Sequence, residues 1–486
     1  MKKYIIAIAS VLTLNTFSSC ADDLLDLKPP YEDVSDDAIK TEEDVKHFLL
    51  GAYLKMSSGS LYGANLFYLG DLLGDSFFRS NTHYGGFNSL IMMNYDPSNT
   101  GEIDFYRSAY DVIQSSNIVI HNELEDTSLN RQYKAEARAL RAMSYFNLVN
   151  YYASSPRSGQ YQEYGVPLAA YPYNPDTKIA RSTVAEVYNV IISDLQYAID
   201  NSVDVPTEKY YLSKTAAKLL LSRVYITRQA AGDAQKALEI TNEMISYWGN
   251  FQPEENQPVP FRLATYGEYE NYFRSTNDAV SENQPETVWE LDLKGVNNPG
   301  VNFALGAFYS NTGAKRGLLA KATLYDQFAT NDVRRKLFNT SSPTTDSPKG
   351  VWIRKHERAS TPGGNYTRNT KVFRFSEFYL NRIEALYQLG NTAEALNKLN
   401  EFAAIRQGNT YSGANLLEDI LTERNREFFG EGQRFLDLKR YYLPLNRGTN
   451  CPNNCDVEAG NRLFVFPYSI SQTILNPNAV QHPLWQ

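Results

Sequence analysis

Tryptophan, histidine and cysteine are scarce in this chain. It has four Trp, five His and three Cys in 486 residues. Five histidines argue against a multi-histidine metal centre. Cys20, Cys451 and Cys455 make neither a disulfide scaffold nor a zinc-site pattern. An excess of positive charge is also missing. The net charge is −8 and the isoelectric point about 5.4, which speaks against a nucleic-acid partner. No G-x-S-x-G, H-E-x-x-H, Walker-type glycine-rich loop or EF-hand loop occurs, and no cofactor is expected. A glycosidase built on two carboxylates stays open, because its Asp and Glu need no fixed spacing.

What the chain does have is tyrosine, phenylalanine and helical pattern. It carries 35 Tyr and 24 Phe, and 42% of it is apolar, ample for a core. The length allows roughly three domains or one large one. Met1-Lys2-Lys3 and the apolar run Tyr4 to Phe17 form a charged n-region and an h-region. The run falls short of the ~20 residues of a spanning helix. Ser18-Ser19-Cys20 follows and resembles a bacterial lipobox. Residues 1–19 then read as a signal peptide, Cys20 as the lipidated residue and 20–40 as a tether; the alternative is an ordinary cleaved signal. Pro29-Pro30 keeps the tether extended.

Thr41 and Asp44 predict a capping box opening a helix to about Met56, and Thr183 with Glu186 predicts a second. Helices are expected over 102–124 and 131–152, and residues 57–104 read as long ordered loops. Two helical hairpins, over 213–247 and 376–406, share the turn G-[DN]-x-x-x-A-L at Gly232 and Gly390, which resembles the tetratricopeptide repeat. Residues 251–375 read as an irregular insertion with a little sheet, including Thr287–Leu293, Lys349–Arg354 and Val372–Phe375. Trp289 and Trp352 fall in these strand patterns and are left to the core. The fold class is therefore mostly α: a tetratricopeptide-like helical-hairpin scaffold with long irregular loops and a little β. It divides into a helical region over 41–250, the insertion, and a C-terminal region over 376–486.

The stretch Glu423 to Arg440 mixes charge with aromatics. Arg424 is placed to reach Glu427 on one helical face, Gly430 and Gly432 break the helix, and a second helix resumes at Arg434. Both ion-pair partners are expected locally, in a structural rather than a catalytic element.

E-R-x-R-E-x-x-x-E-G-x-R-x-x-D-L-K-R over 423–440 resembles the signature of the SusD/RagB family of Bacteroidetes. Gly165-Val166-Pro167-Leu168, Arg181-Ser182-Thr183-Val184-Ala185-Glu186, the N-terminal Leu-Asp-Leu-Lys-Pro and the proline-rich tail resemble further motifs in the family's order. Asp22-Asp23 after Cys20 resembles the surface-export signal of these lipoproteins. The resemblance implies an outer-membrane, surface-exposed lipoprotein that is not an enzyme. It would bind a nutrient glycan and deliver it to a SusC-like TonB-dependent transporter. Peptide-binding members of the family, and a scaffold that recruits envelope proteins through its repeats, are the other readings.

A glycan site needs flat aromatic rings beside hydrogen-bonding side chains. Two loops offer that mix, over 78–88 and 308–316. Tyr84, Phe87 and Tyr309 are expected as platforms, and Arg79, His83, Asn88 and Asn311 as hydrogen-bonders. Gly85 and Gly86 would let the backbone approach a ligand. Cys451 and Cys455 are expected to pair in an oxidising envelope.

Overall fold

The computed structural model describes residues 38–252, 260–342, 344–357, 360–361 and 364–486. The expected signal peptide, Cys20 and Pro29-Pro30 lie outside these residues.

The chain is mostly helical, as its pattern requires. Helix α1 (Glu42–Met56) packs on α2 (Tyr106–Ile120), α2 on α3 (Ser128–Tyr152), and α3 on α4 (Val184–Asn201). The series continues through α5 (Lys214–Arg228), α6 (Asp233–Gly249), α7 (Ser376–Gln388) and α8 (Thr392–Ile405), each against its predecessor. So the tetratricopeptide-like pattern read in two hairpins extends to four helix pairs. Each pair alone cannot bury its apolar face, and stacking does so. In α4, Val187, Tyr188, Ile191, Leu195 and Ala198 form the buried stripe at helical spacing. Both predicted capping boxes form, at Thr41–Asp44 and Thr183–Glu186. Ala237 and Ala395, fully buried, let neighbouring helices approach.

Residues 57–104, expected as long ordered loops, also contain regular elements. They hold a helix, Asn65–Leu72, strand β1 (Phe77–Arg79) and a short helix, Asn88–Met92. The insertion supplies the partners of that strand. Strand β2 (Thr287–Leu291) comes first in it, then β3 (Leu318–Lys321), β4 (Phe338–Asn339), β5 (Gly350–Ile353) and β6 (Thr370–Arg374). One antiparallel sheet runs β1-β3-β5-β4, and β2 pairs separately with β6. Trp289 and Trp352 are buried.

Helix α9 (Leu416–Phe428) and α10 (Arg434–Arg440) seam the insertion to the repeats. Gly430 and Gly432 lie between them at φ +75° and +71°, a backbone that side chains rarely adopt. The expectation of local ion pairs holds for Arg440 with Asp437 (2.6 Å) and Arg426 with Glu423 (3.7 Å), and is corrected for Glu427. Glu427, fully buried, is met by Arg374 (2.7 Å), Arg406 (3.2 Å) and Arg334 (3.4 Å), not by Arg424. Arg424 instead reaches Glu384 (2.9 Å) and Asp437 (3.1 Å). Glu286 bridges Arg374 and Arg406, and Arg334 also holds Asp332 and Glu423 at 2.7 Å each. Burial opposes ionisation of Glu427, but Arg406, Arg374 and Arg334 outweigh it and hold the carboxyl well below the usual range.

The tail folds back onto the first half. The Phe466 amide donates to the Tyr151 carbonyl at 2.7 Å, and Trp485 Nε1 to the Val465 carbonyl at 2.7 Å. Lys439, buried, donates to the carbonyls of Asn150 and Ala153 at the end of α3, and to Phe464. Cys451 and Cys455 are disulfide-bonded, their Cα atoms 5.6 Å apart.

Candidate functional site

Strand pairing brings the two candidate loops together. Arg79 lies opposite Leu318, and the Ser80 amide donates to the Gly317 carbonyl at 2.7 Å. The loop leaving β1 therefore runs beside the loop entering β3. Asp346 pins the first loop, accepting from Ser80 Oγ at 2.8 Å and from the Asn81 amide at 2.7 Å. Asn311 is fixed on the second by donating to Ser342 Oγ at 2.8 Å.

Between the loops sits an aromatic cluster. Tyr68, Phe87 and Phe308 meet at centroid separations of 4.8–5.5 Å, mostly edge to face. Tyr84 caps this group, 5.6 Å from Phe87 and 6.1 Å from Phe308, and is 43% exposed. Phe303 is 53% exposed nearby. The Lys315 ammonium lies 5.1 Å from the Tyr84 ring, 5.7 Å from Phe303 and 6.0 Å from Phe308.

The predicted residues fall into two groups. Tyr84, Arg79, His83 and Asn88 share one loop surface. Arg79 Nη1 donates to the Gly86 carbonyl at 2.6 Å and to Asn88 Oδ1 at 2.5 Å. His83 Nδ1 accepts from the Gly85 amide at 2.7 Å. Partial burial and the charge of Arg79 push this imidazole below its ordinary pKa, so it is neutral at pH 7 and able to accept. Phe87 and Tyr309, expected as platforms, are corrected. Both are buried and present no face to a ligand. Phe87 sits at φ +66° with its amide held by Glu102 at 2.9 Å, its ring inside the cluster. The Tyr309 hydroxyl donates to Asp71 inside the core, where burial pushes the Asp71 carboxyl up to about 7. They support the platform and do not form it. Phe303 and Lys315 were not foreseen. Lys315 lay within a loop already singled out, whereas nothing in the pattern marked Phe303 as exposed.

Flat exposed rings, a cation and half-used amide and guanidinium donors can bind a ring with hydroxyls. Among the described residues no group of three or more His, Cys, Asp or Glu is arranged to hold a metal ion. No described helix is long and apolar enough to cross a membrane.

Two family models match the chain. Residues 308–485 match the SusD family, and residues 23–226 match a family described as starch-binding, associating with the outer membrane. The chain belongs to the SusD family. Relatives of this SusD family member agree over nearly its whole length. It is 25% identical over 479 residues to SusD-like protein P38 of Formosa agariphila, covering 88% of this chain and 90% of that one. A crystal structure of a putative sugar binding protein from Bacteroides vulgatus superposes with a TM-score of 0.78 at 26% identity, covering 92% of this chain and all of that one. A SusD superfamily protein from Bacteroides thetaiotaomicron gives a TM-score of 0.77 at 26% identity, covering 91% of this chain and all of that one.

Proposed function

We propose that this SusD family member captures a nutrient glycan and passes it to a SusC-like TonB-dependent transporter without chemical turnover. The observation that carries the reading is the exposed Tyr84 ring on its buried aromatic base, with Lys315 beside it. Phe303 adds a second exposed ring. Arg79, His83, Asn88 and Asn311 supply hydrogen bonds to hydroxyls. The printed names of relatives, a sugar binding protein among them, support the ligand class. The family description supports association with the outer membrane. In this reading Cys20 carries the lipid that anchors the chain at the cell surface, since a multiply acylated cysteine has enough apolar chain for stable anchoring.

The test is a glycan array probed with the soluble chain lacking residues 1–20, followed by calorimetry and an assay for reducing ends. Binding without release of reducing ends is expected. Release would make the protein a hydrolase, and absence of any glycan binding would sink the reading. Mass spectrometry of the mature N-terminus is expected to find acylated Cys20.

A further inference from the structure

A cleft opens where the insertion meets the seam. It contains about 520 Å³ counted out to its open mouth, and Lys355, His356, Glu357, Arg368, Lys371 and Glu431 supply its polar wall. Its inner end has room for roughly two waters. That is room for a carboxylate or sulfate group.

The ions of this wall are committed, with one exception. Glu431 holds Lys355 at 2.5 Å and Arg374 at 2.9 Å. Glu357 is held by Arg274 at 3.1 Å. Arg368 spends its guanidinium on the carbonyls of Phe273, Arg274 and Ser275. Lys371 is the exception. It is 94% buried, since only 6% of it is exposed. Its ammonium lies 4.8 Å from the Tyr272 ring, and among the described residues it meets no hydrogen-bond acceptor and closes no ion pair. Glu290 stands opposite it in the β2–β6 register, but one Glu290 oxygen is taken by the Asn283 amide and Asn369, and the other has no partner. The carboxylates of Glu290 and Glu282 favour the Lys371 charge without hydrogen-bonding it, so its three donors stay open to an anion in the cleft.

We propose that this cleft binds a small anionic group, a carboxylate or a sulfate, with Lys371 as its direct partner and Arg368 adding positive potential. The source of the group is either a free anion or an acidic substituent on a sugar. Burial lowers the Lys371 pKa to about 8, which leaves the ammonium charged at pH 7 to receive it. The cleft shares residues 304–306 with the segment that follows Phe303.

The probes are simple, so the outcome does not depend on the glycan reading. The soluble chain is titrated calorimetrically with acetate, sulfate, glucuronate and glucose against chloride at constant ionic strength. Acetate or sulfate is expected to bind and glucose not. Tighter binding of glucuronate than of acetate assigns a sugar-borne acid, and the reverse assigns a free anion. Lys371→Met is expected to weaken binding at least tenfold, and Lys371→Arg to retain it. Crystals of the unaltered chain soaked in selenate give a reading that needs no variant: an anomalous peak within hydrogen-bonding distance of Lys371 Nζ. No binding beyond chloride, unchanged binding in folded Lys371→Met, or selenate only elsewhere would overturn the proposal.

Discussion

Around Glu427 charge is buried and each ion has several partners. Around Tyr84 apolar surface is exposed and polar donors are only half used. The two regions are built from similar residues, arginine, glutamate, tyrosine and phenylalanine, yet they do opposite work. In the seam, three guanidiniums converge on one carboxylate, so no group is left for a ligand. At the loops, Lys315 faces three rings and Tyr84 keeps nearly half its surface in solvent. Function on this fold is to be sought where the partners run out.

The largest expected effect breaks the seam. Glu427→Ala should cost on the order of 3–5 kcal/mol in urea denaturation, because it strands three buried guanidiniums. Glycan affinity of whatever remains folded should be unchanged. A normal midpoint with lost binding would turn the seam into the site. Arg434→Ala, which frees the less buried Asp75 from a 2.7 Å pair, should cost less.

The next prediction uses pH. The Glu427 carboxyl is held below its unfolded value, so its stabilisation is present above about pH 4.5 and lost as pH falls. Asp71 behaves oppositely: its pKa rises from 3.8 to about 7 on folding. Its contribution is complete below about pH 4 and is lost as pH climbs through 7. Asp71→Asn should remove that alkaline loss, on the order of 2–4 kcal/mol between pH 4 and 8. An unchanged stability profile over that range would contradict the burial argument.

At the loops, Tyr84→Ala should weaken glycan binding by ~1–3 kcal/mol in calorimetry while leaving the melting temperature within a degree or two. Loss of stability without loss of affinity would make Tyr84 a pin for its loop. The smallest effect belongs to the disulfide. The loop between Cys451 and Cys455 is so short that replacing both with Ser should cost at most ~2 kcal/mol. Thiol labelling of the unreduced, unfolded protein should find neither cysteine free.

The scaffold was legible because its signals are local. Capping boxes at Thr41 and Thr183, and the turns at Gly232 and Gly390, act within a few residues of chain. The partners of Glu427 were not legible, since Arg374, Arg406 and Arg334 arrive from separate elements and adjacency in sequence favoured Arg424. The site was half legible. Loop composition singled out two loops far apart in sequence, and β1–β3 pairing sets them side by side. Composition cannot say which aromatic faces inward, so Tyr309 and Phe87 were expected outside and Phe303 was passed over. Exposure depends on what the rest of the chain puts beside a ring, as Asp71 does for Tyr309.

The closure of the chain on itself bears on the order of its folding. Phe77 pairs across to Ala320, and the Phe466 amide finds its acceptor at Tyr151. A stack of helix pairs by itself could form one pair at a time from its first residue. This one cannot finish that way, because contacts so distant in sequence form late and slowly. Until Phe464 and Phe466 are in place, Lys439 lacks one of its three carbonyl acceptors and the Tyr151 carbonyl lacks its donor. Truncation at a repeat boundary should therefore yield not a shorter stable solenoid but a chain that stays open.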